Sequence, residues 1–394
     1  MFPVLELDGE PFARGMACGR AARTQIGGSV RCYAAMFASC GIDWTTAQQR
    51  AAEFRDIIEG CGGGIIEEIE GLAAGSGLKV NEILALNCRT EILPPSFLGM
   101  EYTHSDVAKA RNPAMGLFDI GECTSVAVAG TRCADGHTRV AQNWDWVGFQ
   151  RQNVIALRVH RDGWPDYVTL TEAGIVAKIG VNEHGVGVGL NILRATDDRE
   201  GLGIPVHIFQ RMALDCADVK SVVALARSLK FAASSNAILG DPSGHVTSLE
   251  YSPSGAVALS PDHGVVAHTN HFCDARLAEK QAPLTQMLTT EPRLQCADRH
   301  IADWPDLIDD VHLAILLRDE SGDGVTTGTD ARYGAICRHP DPASPPALRV
   351  ERYRQRAALV VVTGSSDSAA EHFAKSLEER LFSQKRVVYY LGIS

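Results

Sequence analysis

Apolar residues recur three and four positions apart through most of the first 92 residues, then alternate or run together at strand length after residue 123. The spacing predicts a short opening strand followed by helices. One runs through Val30-Arg-Cys-Tyr-Ala-Ala-Met-Phe37 and another through Thr45–Ile58, capped by Asp43 or Thr45 and stopped by Gly60. Ile65–Ala74 forms a third, and Asn81–Arg89 a fourth with Asn81 as its cap. Leu93 to Pro113 is polar, irregular and proline-bearing, and reads as an exposed loop or linker. Thr124–Gly130 and Thr138–Trp146, with Asp135-Gly136 between them, predict a β-hairpin. Further strands are expected at Val154–His160, Tyr167–Thr171, Gly185–Asn191, Ala237–Gly240, Val246–Tyr251, Ala256–Leu259 and Gly264–Asn270, with helices from Pro205 and Asp218. This order argues for antiparallel sheets covered by helices.

Composition narrows the function classes. The chain has 394 residues, 45% hydrophobic and 22% charged, enough to bury a large core. A formal charge of −11 and the lack of any long basic run argue against nucleic acid and against a membrane-surface patch. No apolar run reaches the length of a membrane span, and Met1–Asp8 has no secretory pattern. Eleven cysteines at irregular spacing, without a Cys-x-x-Cys pair, point to reduced thiols and a cytoplasmic location. The Gly-x-Gly-x-Gly run from Gly185 lies inside an alternating strand, which is the wrong context for a dinucleotide site.

Cys123 heads the first strand of the hairpin, directly after the loop-like stretch. A cut before it would expose a residue carrying both a thiol nucleophile and an α-amino base, an activated nucleophile in one side chain and its own main chain. An ordinary buried cysteine is the plain alternative. His268 and His271 show His-x-x-His spacing, but on a strand they would face opposite ways and could not share a metal ion. Asp319-Glu-Ser-Gly-Asp-Gly324, with Asp330, weakly echoes a calcium loop and reads as a solvated turn because no helix pattern follows. No cofactor or metal is expected.

Cys123-Thr-Ser followed by Gln142-Asn-Trp-Asp-Trp146 resembles the penicillin acyltransferase (acyl-coenzyme A:6-aminopenicillanate acyltransferase) family of Ntn hydrolases. Gly15-Met-Ala-Cys-Gly19, Gly71-Leu-Ala-Ala-Gly-Ser-Gly77 and Leu86-Asn-Cys-Arg-Thr-Glu91 extend the resemblance upstream. Asn182–Asn191, Ser235-Asn236, Leu249-Glu250, His268–Phe272 and Ile336–His339 extend it downstream, so it covers nearly the whole chain. It implies an α+β fold, a four-layer αββα sandwich of two antiparallel sheets preceded by a mainly helical segment. Residues 1–122 would be the N-terminal piece and 123–394 the catalytic piece, together forming one core.

The resemblance further implies self-processing and cleavage of a C–N amide bond in a small N-acyl compound through an acyl-Cys123 thioester. Asp145 would orient the new amine, and Asn270 would donate to the oxyanion. Asn143, Asn191, Ser235, Asn236 and His271 are candidate lining residues; for the first four the plain alternative is a cap, a turn or a bond to a main-chain group. Hydrolysis is preferred to acyl transfer because nothing identifies a coenzyme A site. The expected partner is the small substrate alone, with a homo-oligomer or self-cleaved heterodimer as candidate assemblies. Glu122 stands where the penicillin-forming enzymes carry glycine, and four extra residues separate Cys123 from Asn-Trp-Asp, which puts penicillin specificity in doubt. The rival readings are a papain-like thiol hydrolase using Cys123, His271 and Asn270 uncut, and a non-catalytic binding protein.

Overall fold

The computed structural model describes residues 2–94, 123–146, 148–283, 289–319 and 335–336, together with the backbone of strands at 355–363 and 388–391. The expected loop from Leu93 to Pro113 beyond its first two residues, the Glu122 side of the expected cut and nearly all of the calcium-like run lie outside these residues.

Two sheets form the centre. The first contains β1 (Val4–Leu7), β4 (Val154–Val159), β5 (Tyr167–Glu172), β6 (Ile179–Asn182), β7 (Gly187–Val188), β9 (Ser235–Gly240), β10 (Val246–Ser252) and β11 (Gly255–Leu259) in that order. A short β8 (Asn191–Ile192) also pairs with β9. The second sheet has the order β12 (Val265–His268), β2 (Thr124–Val128), β3 (Thr138–Trp146), β13 (Gln355–Thr363) and β14 (Val388–Leu391). Pairing is antiparallel except at two ends, where β1 lies parallel to β4 and β14 parallel to β13. β1 comes from the helical N-terminal segment and joins the sheet from a distance in sequence, so no hairpin forces it antiparallel.

β2 and β3 pack against β9, and β12 against β10, bringing the sheets face to face. Helix Val219–Ser228 lies against β10 and β11, whereas helices Thr290–Ala302 and Asp310–Leu317 lie against β12 and β3. The result is the four-layer αββα arrangement. Strands β2 and β3 are buried along their whole length because both of their faces are covered. The Gly185–Asn191 run, expected as one strand, breaks into β7 and β8, both paired to β9.

The N-terminal helices run Pro11–Ala21, Arg23–Ser39, Trp44–Ala52, Arg55–Gly60, Ile65–Ser76 and Val80–Asn87. Their apolar side chains, from Leu7 to Leu93, belong to the same buried cluster as those of the first sheet. Asp43 caps its helix by accepting from the Thr46 N–H at 2.8 Å. The helix predicted from Asn81 instead begins at Val80, where the Glu82 carboxylate accepts from the Lys79 N–H at 2.9 Å.

Gly15 and Gly19 on one helix face Gly71 and Gly75 on another, and a Cβ at any of them would overlap the facing main chain. The two glycine motifs therefore allow two helix backbones to touch, which only a residue without a side chain permits.

Candidate active site

The hairpin of β2 and β3 fixes the site. Thr124 pairs with Asn143 and Ser125 with Gln142. By alternation Cys123, Ser125, Gln142, Trp144 and Trp146 share the face turned to the first sheet, while Thr124, Asn143 and Asp145 turn to the outer helices. Cys123 is 4% exposed, buried at the head of its strand.

Both main-chain groups of Cys123 are held by side chains. Its N–H donates to Asn270 Oδ1 at 2.7 Å. Its carbonyl accepts from Arg293 Nη1 at 2.6 Å, and the same nitrogen donates to Thr124 Oγ1 at 2.9 Å. Arg293 Nη2 donates to Asn270 Oδ1 at 3.0 Å, closing a ring around the Cys123 backbone. Asn270 is fixed in turn: its Nδ2 donates to the Ile192 carbonyl at 3.0 Å, and its own N–H to Thr290 Oγ1 at 2.7 Å. Arg293 and Thr290 belong to the helix Thr290–Ala302, so the outer layer reaches through to the strand ends.

The Cys123 thiol lies 4.0 Å from the Asp145 carbonyl oxygen. Burial, followed by the negative charge of Asp145, pushes the thiol up to about 11; the Asp145 main chain and the charges of Lys178 and Arg293 work the other way. A thiol in this state is protonated at neutral pH and needs a base before it can attack. Asp145 itself is buried.

Beneath the thiol, Ser125 Oγ donates to Asn191 Oδ1 at 2.6 Å, and Asn236 Nδ2 donates to the same oxygen at 3.1 Å. Ser235 Oγ donates to the Asn191 carbonyl at 2.8 Å. The three predicted lining residues Asn191, Ser235 and Asn236 are thus brought together as a polar joint between the sheets. Asn143 is not with them. It points to the outer layer, where its Nδ2 donates to the carbonyls of Leu317 at 2.8 Å and Ile336 at 3.3 Å.

His271 Nδ1 lies 2.9 Å from Thr290 Oγ1 and 3.2 Å from Thr269 Oγ1. Burial, then the charges of His268 and Arg293, lower it to about 4, so it is neutral. The two histidines do not point apart as a continued strand would require, because β12 stops at His268 and the rings lie 6.5 Å apart, nearly parallel. His268 Nε2 meets Glu250 Oε1 at 2.8 Å. Burial alone would lower His268, but hydrogen bonds to Cys273 and Glu250 and their charges overcome it and lift the ring to about 10. Glu250, His268 and Cys273 are close enough to share an ion. Glu250, however, already accepts from the Cys273 N–H at 2.6 Å and the Asp274 N–H at 3.0 Å, which accounts for the cluster without a metal.

Sequence reasoning missed three cations. Arg293, Lys178 and Arg89 are all buried, at 0–1% exposure. Lys178 Nζ pairs with Glu172 at 2.7 Å and sits 4.0 Å above the Trp144 ring, on the thiol's side of the hairpin. Arg89 stacks on Trp146 at 4.5 Å. Basic residues are usually exposed, and nothing in their local sequence announces burial. Only for Arg89 was there a signal, since it lies inside the Leu86–Glu91 motif.

The family model described as "Acyl-coenzyme A:6-aminopenicillanic acid acyl-transferase" matches residues 132–331. The acyl-coenzyme A:6-aminopenicillanic-acid-acyltransferase 40 kDa form of Emericella nidulans is 31% identical over 207 residues, covering 52% of this chain. The chain matches about half the length of that relative, 51%. Solved structures with some likeness include a mutant conjugated bile acid hydrolase from Clostridium perfringens, with 13% identity, TM-score 0.34 and coverage of 49% of this chain and 78% of that one. Penicillin V acylase from Agrobacterium tumefaciens gives 14%, TM-score 0.29, and coverage of 46% and 58%. Since the family model spans just over half of the sequence, this chain belongs to the acyl-coenzyme A:6-aminopenicillanic acid acyl-transferase family.

Proposed function

We propose that the protein is a self-processing N-terminal-cysteine amidohydrolase, or an acyltransferase, that cleaves the C–N bond of a small N-acyl compound. The observation that carries this reading is the grip on the Cys123 main-chain nitrogen by Asn270 Oδ1 at 2.7 Å. Any buried N–H needs an acceptor, but this one is a side chain from a distant segment that is itself held by Arg293, and it would keep an amine released by the cut in place.

In the cut, the Cys123 thiol attacks the Glu122 carbonyl and its proton passes to the peptide nitrogen, which leaves as the Cys123 α-amine. Water then hydrolyses the thioester, releasing the Glu122 carboxylate and restoring the thiol. The piece 1–122 stays with 123–394 through their shared core. The new amine has an ordinary pKa of about 7.7–8.0 and can take the proton of a thiol that burial holds protonated. The thiolate attacks the substrate's acyl carbon, the protonated α-amine returns its proton to the leaving nitrogen, and water or a second amine takes the acyl group.

Asn270 and Arg293 hold the nucleophile's backbone. Asn270 would serve the oxyanion only if its Nδ2 left the Ile192 carbonyl. Asp145 would tune the amine and thiol. The neutral His271, bound by two threonine hydroxyls, is a weak base, which favours this reading over the papain-like one. Intact mass tests it. The parent protein should give pieces of 122 and 394 − 122 = 272 residues, and Cys123→Ala one chain. A cut that persists in Cys123→Ala would end the self-processing reading.

A further inference from the structure

Deep between the N-terminal helices and the first sheet, a group of polar side chains lacks the partners that burial demands. Glu172 is fully buried, and its two oxygens are taken by the Tyr33 hydroxyl and by Lys178 Nζ. The Arg89 guanidinium comes only to 3.6 Å of Glu172 Oε2, too far for a hydrogen bond. Its Nε, Nη1 and Nη2 have no hydrogen-bond acceptor among the described residues, and it is wholly buried. Both ring nitrogens of the fully buried His207 are also without partners there, as is Thr90 Oγ1. Burial, then the charges of Arg89 and Lys178, hold His207 well below the usual histidine range.

Leaving a buried donor unpaired is destabilising, and a charged group is more so. A planar fork of N–H donors on aromatic rings suits one class of ligand best, an oxyanion bound side-on. Lys178 connects this group to the nucleophile. Its Nζ lies over Trp144, next along β3 after Asn143, which pairs with Thr124, and its charge acts on the thiol of the adjoining Cys123.

We propose that Arg89, with Lys178, forms a carboxylate-binding site beside the Cys123 thiol, so that the substrate is an N-acyl compound with a carboxylate near the scissile amide, as in an N-acyl amino acid. This rests on Cys123 being the nucleophile. The anion completes the hydrogen bonds of the Arg89 fork and gives Lys178 a second counter-charge. Burial otherwise draws Lys178 down to about 7 even though Glu172 supports its charge. Asp145 opposes an anion at the thiol, so the carboxylate must lie toward Lys178 and away from β3's outer face.

The test uses two thiol reagents of nearly equal size, iodoacetate and iodoacetamide, on the purified protein. Alkylation of Cys123 is followed by peptide mass spectrometry, and 2-mercaptoethanol in the same buffer gives the ratio for an unassisted thiol. The iodoacetate-to-iodoacetamide rate ratio at Cys123 should exceed that reference by about tenfold or more, as cationic clefts concentrate anions by 10–10³. Arg89→Gln and Lys178→Met should each draw the ratio back toward the reference, and Arg89→Lys, which keeps the charge but loses the fork, should keep only part of it. If Arg89→Gln fails to fold, the parent ratio and Arg89→Lys still decide. A Cys123 that reacts with both reagents at the reference ratio overturns the carboxylate site and leaves the acyl-cysteine reading standing. A Cys123 inert to both overturns both.

Discussion

Replacing Arg293 by Met removes the group that ties the nucleophile's backbone to the outer helix layer while keeping much of the side chain's bulk. Arg293 is fully buried and donates to the Cys123 carbonyl, Thr124 Oγ1 and Asn270 Oδ1 at 2.6, 2.9 and 3.0 Å. Hydrogen bonds from a charged donor contribute about 1.5–3 kcal/mol each. Asn270 Oδ1 keeps the Cys123 N–H, but the other two acceptors lose this donor, so Arg293→Met should destabilise by about 3–6 kcal/mol. That is a large share of the roughly 5–15 kcal/mol that holds a typical domain. Denaturant unfolding with an unchanged m-value measures it.

The catalytic effect is separable. On the proposed mechanism Arg293 positions the nucleophile, and a shift of about 1 Å at a reacting atom can cost ~10²-fold, so kcat should fall by about that factor with KM little changed. The Arg293 charge also holds the thiol down, so its removal should raise the thiol pKa and move the pH profile of Cys123 alkylation upward. Arg293→Lys, retaining the charge without the fork, should restore the pH profile better than it restores kcat. An unfolding midpoint and an alkylation profile both equal to the parent's would refute the reasoning.

Asp145→Asn removes the charge that raises the thiol, so Cys123 alkylation should titrate at lower pH while acylation slows because the amine loses its carboxylate neighbour; parent-like values for both in correctly processed material would make Asp145 structural. His268 rises on folding from the ordinary 6.5 to about 10, so its contribution is complete below pH 6.5 and is lost as pH rises toward 10. His268→Gln should flatten that part of the stability profile, and a slope unchanged between pH 7 and 10 would exclude His268 as its source. Gly71→Leu forces a side chain into the main chain of Phe12 and Met16, and should cost at least ~2 kcal/mol by overpacking, read from the unfolding midpoint.

What the sequence by itself determined was set by local rules. The β2–β3 hairpin was legible because its alternation and its Asp135-Gly136 turn act within about twenty residues, and the position of Cys123 at the strand head came with it. Asp43 was legible as a cap for the same reason. The glycine motifs could be noticed but not explained, since their meaning lies in a second helix some fifty residues away. Alternation along β3 does assign Asn143 and Asp145 to one face, yet which face meets the other sheet is a property of the packing. Tertiary structure alone therefore sent Asn143 to the helices and joined Asn191, Ser235 and Asn236 beneath Ser125. It also buried Arg89, Lys178 and Arg293. A cation becomes part of a site when distant elements supply its counter-charge and exclude water, and no window of neighbouring residues carries that information.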